Sequence, residues 1–193
     1  MTLTNYWWLL IWCFVGGFIL SSFFPKRREV VLENYVDRWS IPAAIALVFP
    51  YIVAAAFRTD SMVGDTASYR KWFLSMTSNI SEWPRIISEA TKDKGFSVIL
   101  LILKRIIGNS DVLFFFIIAA FQILAVALIC RKYSSDYWMS IFLFIATTDY
   151  ISWVNNGLRQ FLAVTIIFAA TGLMLKKKYI PTILLILLAA TIH

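Results

Sequence analysis

The chain has 193 residues, 60% of them hydrophobic and 17% aromatic, with a formal net charge of +7. That apolar share is far above a soluble domain's and would leave large apolar faces in water, so a soluble fold is excluded. The cations fall in short clusters between apolar runs, as membrane-topology signals do, which argues against a nucleic-acid surface.

In chain order, residues 6–24 form the first apolar run. It is too long for the apolar core of a signal peptide and lacks a basic leader, so it reads as a span. Further spans are predicted over 41–57, 111–130, 136–154 and 158–175, with a sixth over 179–193. Cys13 and Cys130 fall within or at the end of spans and read as packing residues. The chain closes on Thr191-Ile192-His193 inside an apolar run, so the membrane domain is expected to continue beyond it.

Three basic links separate the spans: Lys26-Arg27-Arg28 with Arg38, Arg131-Lys132, and Lys176-Lys177-Lys178. Residues 95–107 decide how these links distribute. The segment is short for a crossing and carries Lys104 and Arg105. If it crossed, the first and last links would lie on opposite sides. If it does not, all three share the cytoplasmic face, in accord with the positive-inside rule. The second solution is self-consistent. It places residues 58–110, the Asn155-Asn156-Gly157 turn and His193 on the outer side. The outer loop holds Trp72, Phe73, Trp83, Ile86 and Ile87 among its charges, which predicts helices lying at the membrane surface. The fold class is therefore all-α: a single integral membrane domain over 1–193, with about six transmembrane helices, a short re-entrant or interfacial helix, and an amphipathic extracytoplasmic loop over 58–110.

Four groups of residues could carry chemistry. Arg159 opens the span at 158–175, and a cation at the mouth of a membrane helix is costly unless paired or solvated. It could instead snorkel to the interface or pair with Asp149 of the preceding span. Asp65-Thr66 reads as a helix cap with Tyr69 one turn on; Asp65, Tyr69, Arg70 and Lys71 together put a potential base and two anion-binding cations at the outer mouth. Lys94-Gly95-Phe96 begins the short apolar segment, where glycine permits a sharp turn. His193, the only histidine, falls on the same side; a lone histidine is more often a packing residue than a catalyst. No metal-ligand spacing, phosphate-binding glycine loop or nucleophilic triad is present in the sequence, so no cofactor is expected.

The motifs Gly64-Asp65-Thr66-x-x-Tyr69-x-x-x-Phe73, Lys94-Gly95-Phe96, Leu158-Arg159-Gln160-x-Leu162-Ala163 and Ile192-His193, in this order and spacing, resemble the EpsG family of bacterial membrane proteins, grouped with the Wzy-type polysaccharide polymerases. The resemblance covers nearly all of this chain and the amino-terminal part of a typical member. Here the histidine follows Ile192, where members commonly have an aromatic residue.

The resemblance implies a metal-independent glycosyltransferase of the bacterial inner membrane. It would join oligosaccharide units carried on undecaprenyl diphosphate into exopolysaccharide, capsule or O-antigen. For that reaction the chemistry of the residues places Arg159 on the leaving diphosphate, with Arg70 and Lys71 as auxiliary anion contacts and Asp65 or His193 as proton acceptor. Tyr69 and Trp72 would stack on sugars, and Gly95 and Gln160 join the substrate-binding set. Its partners would be the lipid-linked glycan, the bilayer and other assembly proteins, with no nucleic acid. A lipid-linked sugar flippase and a non-catalytic scaffold of an assembly complex are the competing readings.

Overall fold

In a computed structural model, residues 3–31, 33–60 and 64–193 are described, without the side chains of residues 3–5, 148 and 149. The chain is an all-α helical membrane protein. Tyr6–Phe23, Asp111–Tyr133 and Leu158–Leu175 are long and apolar enough to cross a membrane. Ile41–Ala56, Tyr137–Ala146 and Tyr179–Ile192 are shorter apolar helices.

A first bundle is formed by α1 (Leu3–Phe23), α2 (Ile41–Ala56), α6 (Asp111–Tyr133) and α7 (Tyr137–Ala146). Lipid gives helices little hydrophobic reason to associate, so close packing and interhelical hydrogen bonds must hold them together. Aromatic tips supply the bonds here. Trp12 Nε1 donates to the Leu47 carbonyl (2.9 Å), Trp138 Nε1 to Cys13 (2.8 Å), Tyr51 to Leu9 (2.7 Å) and Tyr137 to Ala44 (2.8 Å). Cys13 is buried in this core, and both cysteines are free thiols.

The first basic link is not a plain loop. Residues Arg27–Val31 (β1) and Asn34–Arg38 (β2) pair as an antiparallel hairpin. Its inner face is set by Val31 and Arg38, both buried, while Arg28, Val30 and Tyr35 face outward. Arg131, buried in the last turn of α6, holds the hairpin. Its Nε donates to the Trp39 carbonyl (2.6 Å) and its Nη1 to Glu29 (3.2 Å), while Arg38 donates to the Ser134 carbonyl. Gly172 lies against the Tyr133 hydroxyl, one turn before Lys176, so all three basic links share one end of the bundle.

The Arg131 hydrogen bond is the main cause holding the Glu29 carboxyl below its usual range. A carboxyl lowered in the folded state contributes stability above its unfolded value and loses it as pH falls through the folded one. Acidification below about pH 4 is therefore expected to loosen the hairpin. The check is pepsin cleavage near residues 27–38 in detergent. Glu29→Gln should remove that pH dependence.

The predicted span over 136–154 is broken. It divides at Thr147 (φ −75°, ψ 145°) into α7 and α8 (Thr148–Asn155). Ending α7 there frees carbonyls of its last turn, and non-helical backbone at membrane depth persists only where such groups find partners. The Tyr6 hydroxyl donates to the Ile145 carbonyl (2.6 Å), and Thr147 Oγ1 to that of Phe144 (3.0 Å).

A second core joins α6 to the outer segment and to the last helices: α9 (Leu158–Ala169), α10 (Thr171–Leu175) and α11 (Tyr179–Ile192). The outer segment carries α3 (Thr66–Ser75), a 3-10 turn at Ile80–Glu82, α4 (Trp83–Glu89) and α5 (Lys94–Ile107). Phe73 of α3 stacks on Phe114 of α6 (centroids 4.6 Å apart, 6° between planes). Helix α5 begins against α9 and α11 and returns to Asp111, which pairs with Arg70 on the outer segment. It thus starts and finishes at the end opposite the basic links. Lys104, buried on α5, donates Nζ to the carbonyls of Phe73 (3.3 Å) and Leu74 (2.9 Å) in the last turn of α3, where the Phe73 carbonyl also accepts the Met76 N–H.

Candidate functional site

The site forms at the end of the bundle away from the basic links, and α9 supplies its centre. Gly157 stands at the N-cap of α9, so Arg159 projects from the first turn. Gln122, fully buried on α6, donates Nε2 to the Leu158 carbonyl (2.9 Å) and ties this turn to the bundle. Asn155, also buried, donates to the Ile151 carbonyl (2.9 Å) and accepts the Thr66 hydroxyl on its own carbonyl (3.3 Å). That last bond fixes the start of α3 against the turn ahead of α9. Gly64 makes the approach possible. Its φ of 119° is one that side-chain-bearing residues rarely adopt, and a Cβ there would stand 2.9 Å from Asn156 Cβ.

Helix α3 lays Tyr69 and Trp72 beside the guanidinium of Arg159. Its Cζ lies 5.8 Å from the Tyr69 ring centroid and 5.5 Å from that of Trp72, and Nε approaches the Tyr69 hydroxyl at 3.4 Å. Both aromatics rest on Phe96 of α5, at 6.0 and 5.4 Å between centroids. A guanidinium over aromatic faces is held in orientation while its N–H groups still hydrogen-bond in its own plane. The Arg159 side chain remains 29% exposed. It lines a cleft of about 400 Å³ with Trp72, Met76, Ile86, Lys92 and Ser97.

The remaining member of the site is Asp93, which sequence reasoning missed. Its carboxylate, 14% exposed, accepts from Arg159 Nη1 and lies 3.7 Å from His193 Nδ1. Among charged links such as Thr91-Lys92-Asp93-Lys94 an aspartate reads as solvated surface. The available signal was its place directly before Lys94-Gly95-Phe96. Asp93, not Gly95, makes the sharp turn: its φ is 52° and ψ 44°. Gly95 is already helical, and its value is steric. A Cβ there would collide with Thr191, at 2.8 Å from Thr191 Cβ, so glycine lets α5 approach the end of α11 and brings His193 to Asp93.

The predicted residues therefore divide. Arg159, Tyr69, Trp72 and His193 are gathered around Asp93, with Gly95 supporting them. The Arg159 partner is Asp93, while the side chain of Asp149 lies outside the described residues. Asp65 occupies the N-cap of α3 but makes no capping hydrogen bond; its side chain is exposed one turn before Tyr69. Arg70 is already engaged: it pairs with Asp60 and Asp111 (2.6 Å to the latter) and donates to the Arg58 carbonyl (2.9 Å). Lys71 and Gln160 are exposed. Arg58 is buried beneath this network, donating to the carbonyls of Ala55 and Val154 (2.6 Å each) and stacking on Phe115 (4.4 Å).

An arginine with an aromatic wall and a carboxylate partner, set where an apolar helix meets a polar cleft, is the candidate site of this helical membrane protein. The chain belongs to the EpsG family, whose model matches residues 43–193. Every residue gathered around Asp93 falls within that range. Membership supports a polysaccharide-polymerase-like role in general terms. No curated protein and no solved structure matches the chain.

Proposed function

We propose that this protein polymerises oligosaccharide units carried on undecaprenyl diphosphate, at the extracytoplasmic face of the bacterial inner membrane. The observation that carries the reading is Arg159, a solvent-reached guanidinium at the head of an apolar helix, held on aromatic faces at the edge of a cleft. A lipid diphosphate has the matching shape: an anionic head for the arginine and an apolar tail for what lies beneath it.

On α9 the residues following Arg159 at helical spacing are Leu162, Ile166 and Ala169. With Leu103 of α5 and Leu188 of α11 they line an apolar groove of about 560 Å³. The tail would run along this stripe while the diphosphate sits on Arg159. As the donor sugar leaves, negative charge grows on the diphosphate, and fixed N–H donors aimed there lower the barrier. Trp72 and Tyr69 offer flat apolar surfaces to sugar rings. His193 would serve in proton transfer at the acceptor hydroxyl, with exposed Lys71 and Gln160 contacting the glycan from the rim. Asp65 would reach the acceptor from the start of α3, and Arg70 would act by fixing α3 in place.

The test is the full-length protein reconstituted with lipid-linked repeat units. Longer glycans are the expected product. Translocation of the units without extension would instead support a flippase, and neither result would leave a scaffold.

A further inference from the structure

Asp93 stands out by what its carboxylate does not do. It immediately precedes α5, where an aspartate ordinarily accepts the free N–H groups of the first turn. It makes no such bond. Its backbone also sits in the left-handed region, which is unfavourable for most residues and tolerable for aspartate. Both departures turn the carboxylate into the site, with one oxygen toward Arg159 and the other 3.7 Å from His193 Nδ1.

This creates a conflict for any anionic ligand. The cation that would receive it is already paired, and the pair is partly shielded from water, so a diphosphate must compete with the resident carboxylate. We propose that Asp93 is the exchangeable counter-ion of Arg159 and, once displaced, the general base of the transfer. The inference rests on the polymerase reading above.

In this scheme the donor's diphosphate takes over the guanidinium, and the Asp93 carboxylate is released toward the acceptor. The acceptor oxygen forms a bond to the anomeric carbon while its proton passes to Asp93. The bond between that carbon and the diphosphate breaks, and its electron pair leaves with the lipid diphosphate. The proton moves on to His193, which is 47% exposed, and from there to water. The base is thus uncovered only when a donor occupies the site. Placed between the guanidinium and the imidazole, Asp93 couples donor binding to proton removal with no moving domain.

The distinguishing prediction is opposite in sign for binding and turnover. Asp93→Asn keeps the left-handed conformation accessible and removes the charge. Full-length Asp93→Asn is expected to bind farnesyl diphosphate at least threefold more tightly than the wild type by titration calorimetry, while extending lipid-linked glycans at least a hundredfold more slowly. Adding Arg159→Ala should abolish the gain in affinity. Unchanged or weaker binding overturns the counter-ion role, and undiminished glycan extension overturns the base role.

Should Asp93→Asn prove unstable, Asp93→Gly suits the same backbone and carries the same two expectations. A wild type that binds farnesyl diphosphate but extends nothing overturns the polymerase reading and the base role together. The binding comparison still decides the counter-ion role in that case.

Discussion

Arg159→Lys is expected to lower glycan extension by roughly ten- to a hundredfold, while the protein remains folded. Lysine keeps the positive charge but cannot present two parallel N–H groups to a diphosphate, and it stacks less well on Tyr69 and Trp72. The hydrogen bond lost to a charged group is worth about 1.5–3 kcal/mol, which sets that range. Arg159→Ala should be more severe, roughly a hundred- to a thousandfold, because the charge opposing the leaving group goes as well. It also strands Asp93, so a fall in melting temperature should accompany the loss. Polymer length in complemented cells and extension by purified protein are the two measurements. A lysine variant that polymerises at the wild-type rate would refute bidentate diphosphate binding.

The second large effect concerns packing. Gly95→Ala adds one carbon where Thr191 already stands, which forces α5 and α11 apart. Overpacking of this kind costs about 1–3 kcal/mol. The functional loss should exceed the stability loss, because the same separation draws Asp93 away from His193. Thr191→Gly removes the opposing side chain and should restore part of both in the double variant. Two residues in direct contact ought to show a coupling energy of about 0.5–3 kcal/mol. Strict additivity in melting temperature and activity would show that the contact does not govern the site.

The apolar helices were legible because their runs are long and their links basic. Charge distribution also argued that residues 95–107 do not cross, since a crossing would have split the basic links between two faces, and α5 begins near Arg159 and ends just before Asp111, both at the end away from those links. Arg159 was conspicuous for a physical reason: its charge stands at the mouth of an apolar span. Asp93 was not, because a carboxylate among lysines resembles any exposed link until the fold shows which guanidinium it meets. The break falls at Thr147-Thr148-Asp149, but Phe144, Ile145, Tyr150 and Ile151 continue the apolar character on both sides of this short polar step, so the run reads as one span. What stabilises the break is a tyrosine 139 residues earlier in the chain, a long-range partner no local pattern discloses. The hairpin was obscured by its charge. Arg27, Arg28 and Lys26 read as a topology signal, and the alternation that sends Val31 and Arg38 inward spans only five residues per strand.

The bond from Tyr6 to Ile145 gives the amino-terminal helix a mechanical office. Short α8 runs from the break at Thr147 to Asn155, whose carbonyl accepts the Thr66 hydroxyl at the head of α3. Helix α1 is thereby joined, through α7 and α8, to the helix that carries Tyr69 and Trp72. The family pattern begins at residue 43, beyond α1. The packing of a helix that precedes the matched residues therefore reaches, through two hydrogen bonds and one short helix, the element that walls the cleft.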